Sequence, residues 1–562
     1  MVADRRAAAG AAALVCVLAL DSGGYFPRSW VWSSVIGFWA AALALGTAAH
    51  IRVTRAGAAF VASIALLAGW TLLSAVWSVE PAQSVLDARR DLVYVAVALA
   101  VVAAAPRLFA VSLGPAVLGA VDVVALVGIA RYVVSGPVDP AQATLLSWPV
   151  GYANAFAALC VIAFPVALAL AAHDGRRLVR AAGAASVPVF VAVVVLASSR
   201  GGVVAAVAAL LALVALDRRR LPVVRAIARV AAPAVAVYGV CAWADLGAHA
   251  TDPGRRGAVA AVLAVAALAA GLLAARPLRG ADLGRELPRR LAVAGVLCAL
   301  AVAAAVTALP ERSATHLVAS ERAAYWAVGR SVVSAHPWLG GGAGTFGRFW
   351  LDARPAAPAG ALDAHNLYLE TLAELGPLGL LLLLGFLGIP LARARVAARA
   401  TPLGASAAAA YIGFLVHALV DWDWEMPAVT VSALAIGASL LVLTRRETGP
   451  LGGGVRYAAA ALAVVLAVLA LLGLASGAVP AAAAPVGATA ASDRSTACRD
   501  CRCCRGCRYF RRSASCRSSR SCRSYRGSRC CPGSCFRASS TATGRRRPGC
   551  PRALDGPATH SG

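Results

Sequence analysis

The octapeptide DAHNLYLE, residues 363–370, carries the residue types that acid–base and binding chemistry use. The chain around it is 60% hydrophobic and only 14% charged, so this concentration of polar side chains is unusual. Asp363 is predicted to cap a helix that starts here, which would place His365 in its first turn. A neutral histidine at that position can take a proton from a hydroxyl group. The alternative interpretation is a histidine that only caps or packs.

Two arginines elsewhere in the chain have the right chemistry to hold an anion. Arg322 precedes Trp326 and Arg330 at four-residue intervals, so the three share one face of a predicted helix. That pattern indicates either interfacial anchoring or a phosphate-binding arginine. Arg200, in ASSRGGVV, is predicted at the junction of two spans. It either extends to the interface or binds a diphosphate through bidentate hydrogen bonds.

A glycine-rich turn lies between these motifs. Gly340, Gly341, Gly342 and Gly344 follow Pro337, and their backbone N–H groups could approach an anion. The spacing matches neither a nucleotide-binding loop nor a dinucleotide fingerprint. The turn alone is therefore weak evidence for a phosphate site.

Long apolar runs must position these residues, because many are long enough to cross about 30 Å of hydrocarbon. They predict an all-α polytopic membrane protein with about 15 spans. The spans are placed near 7–20, 30–49, 57–78, 91–106, 109–130, 152–172, 180–198, 201–217, 229–246, 257–275, 291–309, 373–392, 403–421, 427–444 and 456–475.

Arginine-rich connections fall on one side of this arrangement, and cytoplasmic connections retain positive charge. The long polar stretch 310–372 then faces outward, with DAHNLYLE at its end. The net charge of +27 does not indicate nucleic-acid binding, because it combines this topology signal with a basic tail. We therefore expect a multi-pass plasma-membrane protein whose site faces the extracytoplasmic side.

The chain divides into five predicted regions. Their boundaries follow the spans, the outward loop and a change in composition near residue 493. They are N-terminal helices (1–150), central helices (151–309), the extracytoplasmic loop (310–372), C-terminal helices (373–480) and a tail (493–562).

The tail differs from the rest of the chain. It holds 11 of the 15 cysteines, and 17 arginines against three aspartates. Cys498, Cys501, Cys504 and Cys507 have a spacing that thiolate metal sites use, but no histidine lies near them in the sequence. A disulfide-rich or disordered appendage is a second interpretation. The favoured hypothesis is a slip of the reading frame near residue 493, and no function is assigned to the tail.

Three segments in fixed order resemble one known family. SWPVGYANAFAAL with ASSRGG, then ERAAYW with HPWLGGGAGTF, then AHNLYLETLAELGPLGLLLLL resemble the O-antigen ligase and polymerase superfamily. The similarity covers roughly residues 145–445, and the His-Asn-x-Tyr-x-Glu element is its most specific part. FLVHALVDWDWEMPAV, with Asp421 and Asp423 at a predicted outward edge, is also similar to this group.

The resemblance implies a GT-C-like bundle of about 12–15 transmembrane helices with one large extracytoplasmic loop. It implies transfer of a polyprenyl-diphosphate-linked glycan to an acceptor hydroxyl, without metal or cofactor. Arg200 and Arg322 would neutralise the diphosphate, and His365 would activate the acceptor. The implied substrate-binding residues are Asn154, Trp326, Arg330, Asn366, Tyr368, Glu370, Asp421 and Asp423. The implied partners are the lipid-linked donor, a glycan, lipid or protein acceptor, and membrane lipids.

Other functions remain open from the sequence. A polymerase of the same superfamily uses the same donor chemistry and differs in its acceptor. An envelope-lipid transporter would need ionisable groups within its spans, and Asp122 is the main example here. A third alternative is a non-catalytic scaffold whose polar loop recruits partners.

Overall fold

The structure is a computed structural model that describes residues 2–47, 51–104, 107–137, 142–276, 316–353, 361–444 and 450–475. The chain divides into two units, Met1–Ser492 and Asp493–Gly562, and every described residue lies in the first. The predicted span 291–309 and all hypotheses about the tail therefore lie outside the described residues.

The described chain is helical and contains no strand. Seventeen α-helices follow one another, with short 3₁₀ turns at Ser22–Gly24, Ser74–Val76 and Asp423–Glu425. The α-helices are α1 (Val2–Leu20), α2 (Pro27–Thr47), α3 (Arg55–Leu73), α4 (Pro81–Ala104), α5 (Arg107–Ser135), α6 (Ala153–His173), α7 (Arg177–Leu196), α8 (Arg200–Leu216), α9 (Arg220–Ala244), α10 (Leu246–His249), α11 (Pro253–Ala275), α12 (His316–Ala335), α13 (Phe346–Ala353), α14 (Leu367–Ala400), α15 (Pro402–His417), α16 (Pro427–Leu443) and α17 (Gly453–Ala475).

Nine of the described helices are long and apolar enough to cross a membrane, and four more are apolar but shorter. The prediction of an all-helical, multi-pass membrane protein is confirmed. The described part of the predicted span 91–106, residues 91–104, falls within α4, which is not among the nine. Its earlier turns carry Asp87, Arg90 and Asp91, all buried.

The core forms around α6 and α16. Every residue of α16 is buried, and α6 is buried along most of its length. Both helices are apolar on all faces, a pattern typical of helices enclosed by other helices. Small side chains such as Gly413, whose added Cβ would lie 3.0 Å from Ala209, let neighbouring helices approach closely.

The two ends of the bundle differ in chemistry. At the His417 end, α6, α8 and α14 begin and α15 ends; the backbone N–H of Leu367 donates to Ala418 O there at 3.0 Å. At the His173 end, α6 and α8 end, where His173 contacts Asp217 at 2.9 Å. Helices α7 and α9 begin at this second end.

The glycine turn, residues 340–344, forms hydrogen bonds with a break in α14. Pro377 has no N–H to donate to the carbonyl of Ala373, and Gly376 has φ +67°, outside helical geometry. The N–H groups of Gly341 and Gly342 donate instead to Ala373 O at 3.0 Å and Glu374 O at 2.8 Å. The turn therefore satisfies carbonyls that the helix cannot satisfy itself.

The carboxylate of Glu374 holds the other side of the same turn. It accepts hydrogen bonds from the N–H groups of Gly344 and Phe346, each at 2.8 Å. Phe346 begins α13, so the Glu374 side chain accepts one of the N–H groups that have no partner within that helix. The sequence suggested that the N–H groups of this turn could approach an anion. In the structure, those of Gly341, Gly342 and Gly344 donate to carbonyl and carboxyl oxygens of α14.

Candidate functional site

The start of α14 differs from the sequence prediction. Asn366, rather than Asp363, caps the helix, and its side chain accepts the N–H of Leu369 at 3.0 Å. The prediction for Asp363 is wrong, and so is the placement of His365 in the first turn. His365 precedes the helix with φ +53°, a left-handed conformation that turns the chain just before the cap.

His365 is oriented by one hydrogen bond and two rings. Its Nδ1 lies 3.1 Å from Asp363 O, and because a carbonyl only accepts, Nδ1 carries the proton. The neutral ring then has its lone pair on Nε2, the atom that can act as a base. Tyr325 stacks on the ring at 5.0 Å between centroids, and Trp422 meets it edge-on at 6.3 Å.

Arg322 forms an ion pair with Asp421, the residue before Trp422. Its terminal nitrogen is 3.1 Å from Asp421 Oδ2, and the Asp421 side chain is fully buried whereas Arg322 is 20% exposed. The buried Nε of Arg322 makes no hydrogen bond to a described residue. The guanidinium therefore retains donor capacity at the edge of a carboxylate-anchored site.

Asp421 also connects to Asn154, through a residue that the sequence analysis missed. Tyr152 donates its hydroxyl to Asp421 Oδ1 at 2.9 Å, and the Asn154 amide donates to the same hydroxyl at 2.9 Å. Burial and the Asp421 carboxylate raise the pKa of Tyr152 well above its ordinary value, so it remains a neutral donor. In the sequence, the one feature that could have indicated Tyr152 is its position two residues before Asn154.

Arg200 begins α8 at the same end of the bundle. Ser199 caps the helix by accepting the N–H of Gly202 at 3.0 Å. Gly201, the residue after Arg200, lies close to the end of α15. A Cβ added to it would lie 3.0 Å from Val420 and 3.5 Å from His417 Nε2. This contact places the first turn of α8 beside the residue preceding Asp421.

Asp423 has an inward role that the sequence did not indicate. Its Oδ2 lies 2.6 Å from His417 Nδ1, and both side chains are buried. Asp423 Oδ1 and His417 Nε2 have no hydrogen-bond partner among the described residues. Asp423 lies two residues after Asp421, so the two pairs belong to the same turn after α15.

Two of the other predicted binding residues, Glu370 and Tyr368, use their polar groups for hydrogen bonds within the protein. Glu370 accepts the N–H of Ala364 at 2.7 Å, and the Tyr368 hydroxyl donates to Leu415 O at 3.1 Å. Trp326 is half-buried, with its indole N–H unpaired within the described structure. Arg330 is exposed, and no described contact joins it to the other site residues.

Three carboxylates from separate parts of the described chain converge next to the histidine. Oxygens of Asp363, Glu370 and Glu425 lie within 4.8 Å of one another, and Arg90 contacts Glu425 at 3.2 Å. Burial, opposed in part by Arg90, raises the pKa of Asp363 to about 7, and burial likewise raises that of Glu425. The sequence did not predict this cluster, because Glu425 and Arg90 lie far along the chain from Asp363 and Glu370.

Comparison with known proteins identifies the segment that carries Arg322 and His365. Residues 253–384 match the family model described as O-Antigen ligase. No curated protein matches the chain. The matched segment excludes Arg200 and Asp421, which the fold brings to the same end of the bundle. The match supports a membrane glycan enzyme of the ligase or polymerase type. The similarity to the O-antigen ligase family therefore extends over 132 of the 562 residues, 253–384.

Proposed function

We propose that the protein transfers a glycan from a polyprenyl-diphosphate carrier to an acceptor hydroxyl. It acts as a membrane glycosyltransferase of the ligase type, and needs neither metal nor cofactor. Its partners are the lipid-linked donor, membrane lipids and a glycan, lipid or protein acceptor. The family match supports the reaction class, and the arrangement of His365, Arg322 and Arg200 supports the roles assigned below.

The chemistry requires a base and a cationic site on opposite sides of the anomeric carbon. His365 Nε2 takes the proton of the acceptor hydroxyl as its oxygen bonds to the anomeric carbon. The bond from that carbon to the diphosphate oxygen breaks, and the electron pair leaves with the diphosphate. Arg322 and Arg200 stabilise the charge that develops on this leaving group.

One observation supports this assignment most strongly. Two aromatic contacts connect His365 to the Arg322–Asp421 ion pair: Tyr325 lies on the same helix as Arg322, and Trp422 follows Asp421 directly. A base and an arginine that are 43 positions apart in sequence thus share one set of neighbours. Such fixed placement reduces the entropy that must be lost when donor and acceptor meet.

The sidedness is part of the proposal. The His173 end carries Arg176, Arg177 and Arg180, and positively charged connections remain in the cytoplasm. The His417 end, with the site, then lies on the extracytoplasmic face of the plasma membrane.

A polymerase of the same superfamily is the second candidate, because it would use this site with a lipid-linked acceptor. Glycan from a deletion strain distinguishes the two. Loss of attachment with chain length preserved indicates a ligase, whereas loss of long chains indicates a polymerase. A transporter is less favoured, since Asp122, the main ionisable residue predicted within a span, bonds Ser186 at 3.0 Å.

The test is transfer by purified His365→Ala protein. The assay supplies labelled polyprenyl-diphosphate-linked glycan, membranes from the deletion strain as the acceptor source, and EDTA. Loss of a general base predicts a rate reduced by about 100- to 10,000-fold. His336→Ala is the matched control, because His336 is an exposed histidine at the end of α12. Full activity of the His365 variant would contradict its role, and a requirement for added Mg²⁺ would contradict metal independence.

A further inference from the structure

Four arginines line a cavity at the His173 end, away from the candidate active site. The cavity has a volume of about 260 Å³ and lies between the end of α6 and helices α7, α9 and α11. We call it the arginine pocket. Its charged lining residues are Asp174, Arg180, Arg225, Arg229 and Arg276.

Backbone carbonyls hold two of these arginines in place. Arg180 donates to Asp174 O at 3.0 Å, Gly175 O at 3.1 Å and Ala274 O at 3.3 Å. Arg229 donates to Arg276 O at 3.4 Å. Carbonyl groups at helix C-terminal ends fix a guanidinium in position without cancelling its charge.

The pocket has an excess of positive charge within the described part of the chain. Asp174 is the one acidic residue of its lining, and Arg176 pairs with that carboxylate at 3.1 Å. Arg225, Arg229 and Arg276 make no ion pair with any described residue. Converging like charges in a half-buried site are unfavourable unless an anion joins them.

We propose that the arginine pocket binds the phosphate headgroup of an anionic phospholipid. Guanidinium groups bind phosphate through paired hydrogen bonds, and basic pockets between membrane helices suit such headgroups. The pocket lies where four candidate spans begin or end, α6, α7, α9 and α11. The ends of membrane-spanning helices are where lipid headgroups are expected. Leu178 and Leu272, 85% and 56% exposed, flank the arginines on α7 and α11 and offer apolar surface to the acyl chains.

The proposal is independent of the reaction at the His417 end. It concerns the opposite end of the bundle and involves none of the residues assigned to catalysis. The pocket would anchor α7, α9 and α11 to one leaflet, whatever glycan the enzyme transfers.

The experiment is native mass spectrometry of the full-length protein in detergent, titrated with phosphatidylglycerol and, separately, with phosphatidylcholine. The double variant Arg225→Gln/Arg229→Gln should bind phosphatidylglycerol on the order of tenfold more weakly than wild type. Phosphatidylcholine should bind weakly to both proteins. Arg393→Gln/Arg395→Gln is the matched control, because both arginines are exposed near the end of α14, at the same end of the bundle.

Three results would overturn the proposal. They are equal loss of phosphatidylglycerol in the test and control variants, unchanged binding in the test variant, and displacement of the lipid by millimolar inorganic phosphate. The last result would assign the pocket to free phosphate. If the double variant does not fold, Arg276→Gln replaces it, since that side chain is exposed and its backbone carbonyl stays in place.

Discussion

The guanidinium of Arg322 contacts the buried carboxylate of Asp421 at 3.1 Å, although the two residues are 99 positions apart. Asp421 is itself held by Tyr152 and by the N–H of Trp422. The ion pair therefore fixes an arginine of the α12 helix to the edge of the helical core. The residue after Asp421, Trp422, contacts the ring of His365.

Asp421→Asn should lower kcat/KM for glycan transfer by roughly 10- to 100-fold, because Arg322 loses the charge that orients it. Steady-state kinetics with varied donor measures the change. Asp352→Asn is the control: its ion pair with Arg348 is exposed on both sides, and such pairs contribute little. Wild-type kinetics in the Asp421 variant would contradict a positioning role.

Gly201→Ala should reduce transfer while the protein still folds. The new Cβ would lie 3.0 Å from a methyl group of Val420, which is tighter than an ordinary contact. Relief of this contact by a shift in the first turn of α8 would displace Arg200. Gly239→Ala in α9 meets open space and should leave activity unchanged. Activity and elution volume, measured on both variants, separate displacement of Arg200 from misfolding. Equal activity of the two variants would show that the position of Arg200 is tolerant.

Glu374→Gln should lower the free energy of unfolding by roughly 1–3 kcal/mol, because an amide cannot accept both N–H groups that the carboxylate binds. Thermal unfolding in detergent reports the loss as a lower midpoint. Glu80→Gln is the control, since Glu80 is half-buried and forms no ion pair in the described structure. An unchanged midpoint for the Glu374 variant would mean that other contacts hold the turn.

Asp363 should make stability depend on pH. Its pKa is raised from 3.8 to about 7 in the folded protein, chiefly by burial. The folded state thus binds this proton more tightly than the unfolded state, and stability falls as pH rises from about 4 to 7. The fall in thermal midpoint between pH 4.5 and 7.5 should be smaller for Asp363→Asn than for wild type. Equal falls would exclude Asp363 as the source.

Local sequence identified the residues whose chemistry was conspicuous. His365 stood out because polar side chains are concentrated in its octapeptide, and Arg322 because of its helical spacing with Trp326 and Arg330. Asp421 was indicated by the family resemblance, and the structure pairs it with Arg322. Apolar run length likewise identified most spans. The helix start was wrong because Asp363 and Asn366 both suit a cap, and the backbone turn at His365 decided between them.

The contacts that the sequence did not predict join residues from different elements of the fold. Arg90 meets Glu425, and Tyr152 meets Asp421, across 335 and 269 positions respectively. No periodic pattern specifies such pairs. The His417–Asp423 pair is only six residues apart, but the turn after α15 brings the two side chains together, and spacing alone did not reveal it.

The glycine turn should behave unlike a loop in hydrogen–deuterium exchange. Loop amides usually exchange quickly, yet the N–H groups of Gly341, Gly342, Gly344 and Phe346 all donate to α14. A peptide covering residues 340–346 should therefore exchange slowly, at a rate typical of a buried helix. The segment richest in glycine would then be among the slowest to open, and the broken helix and the turn would unfold together.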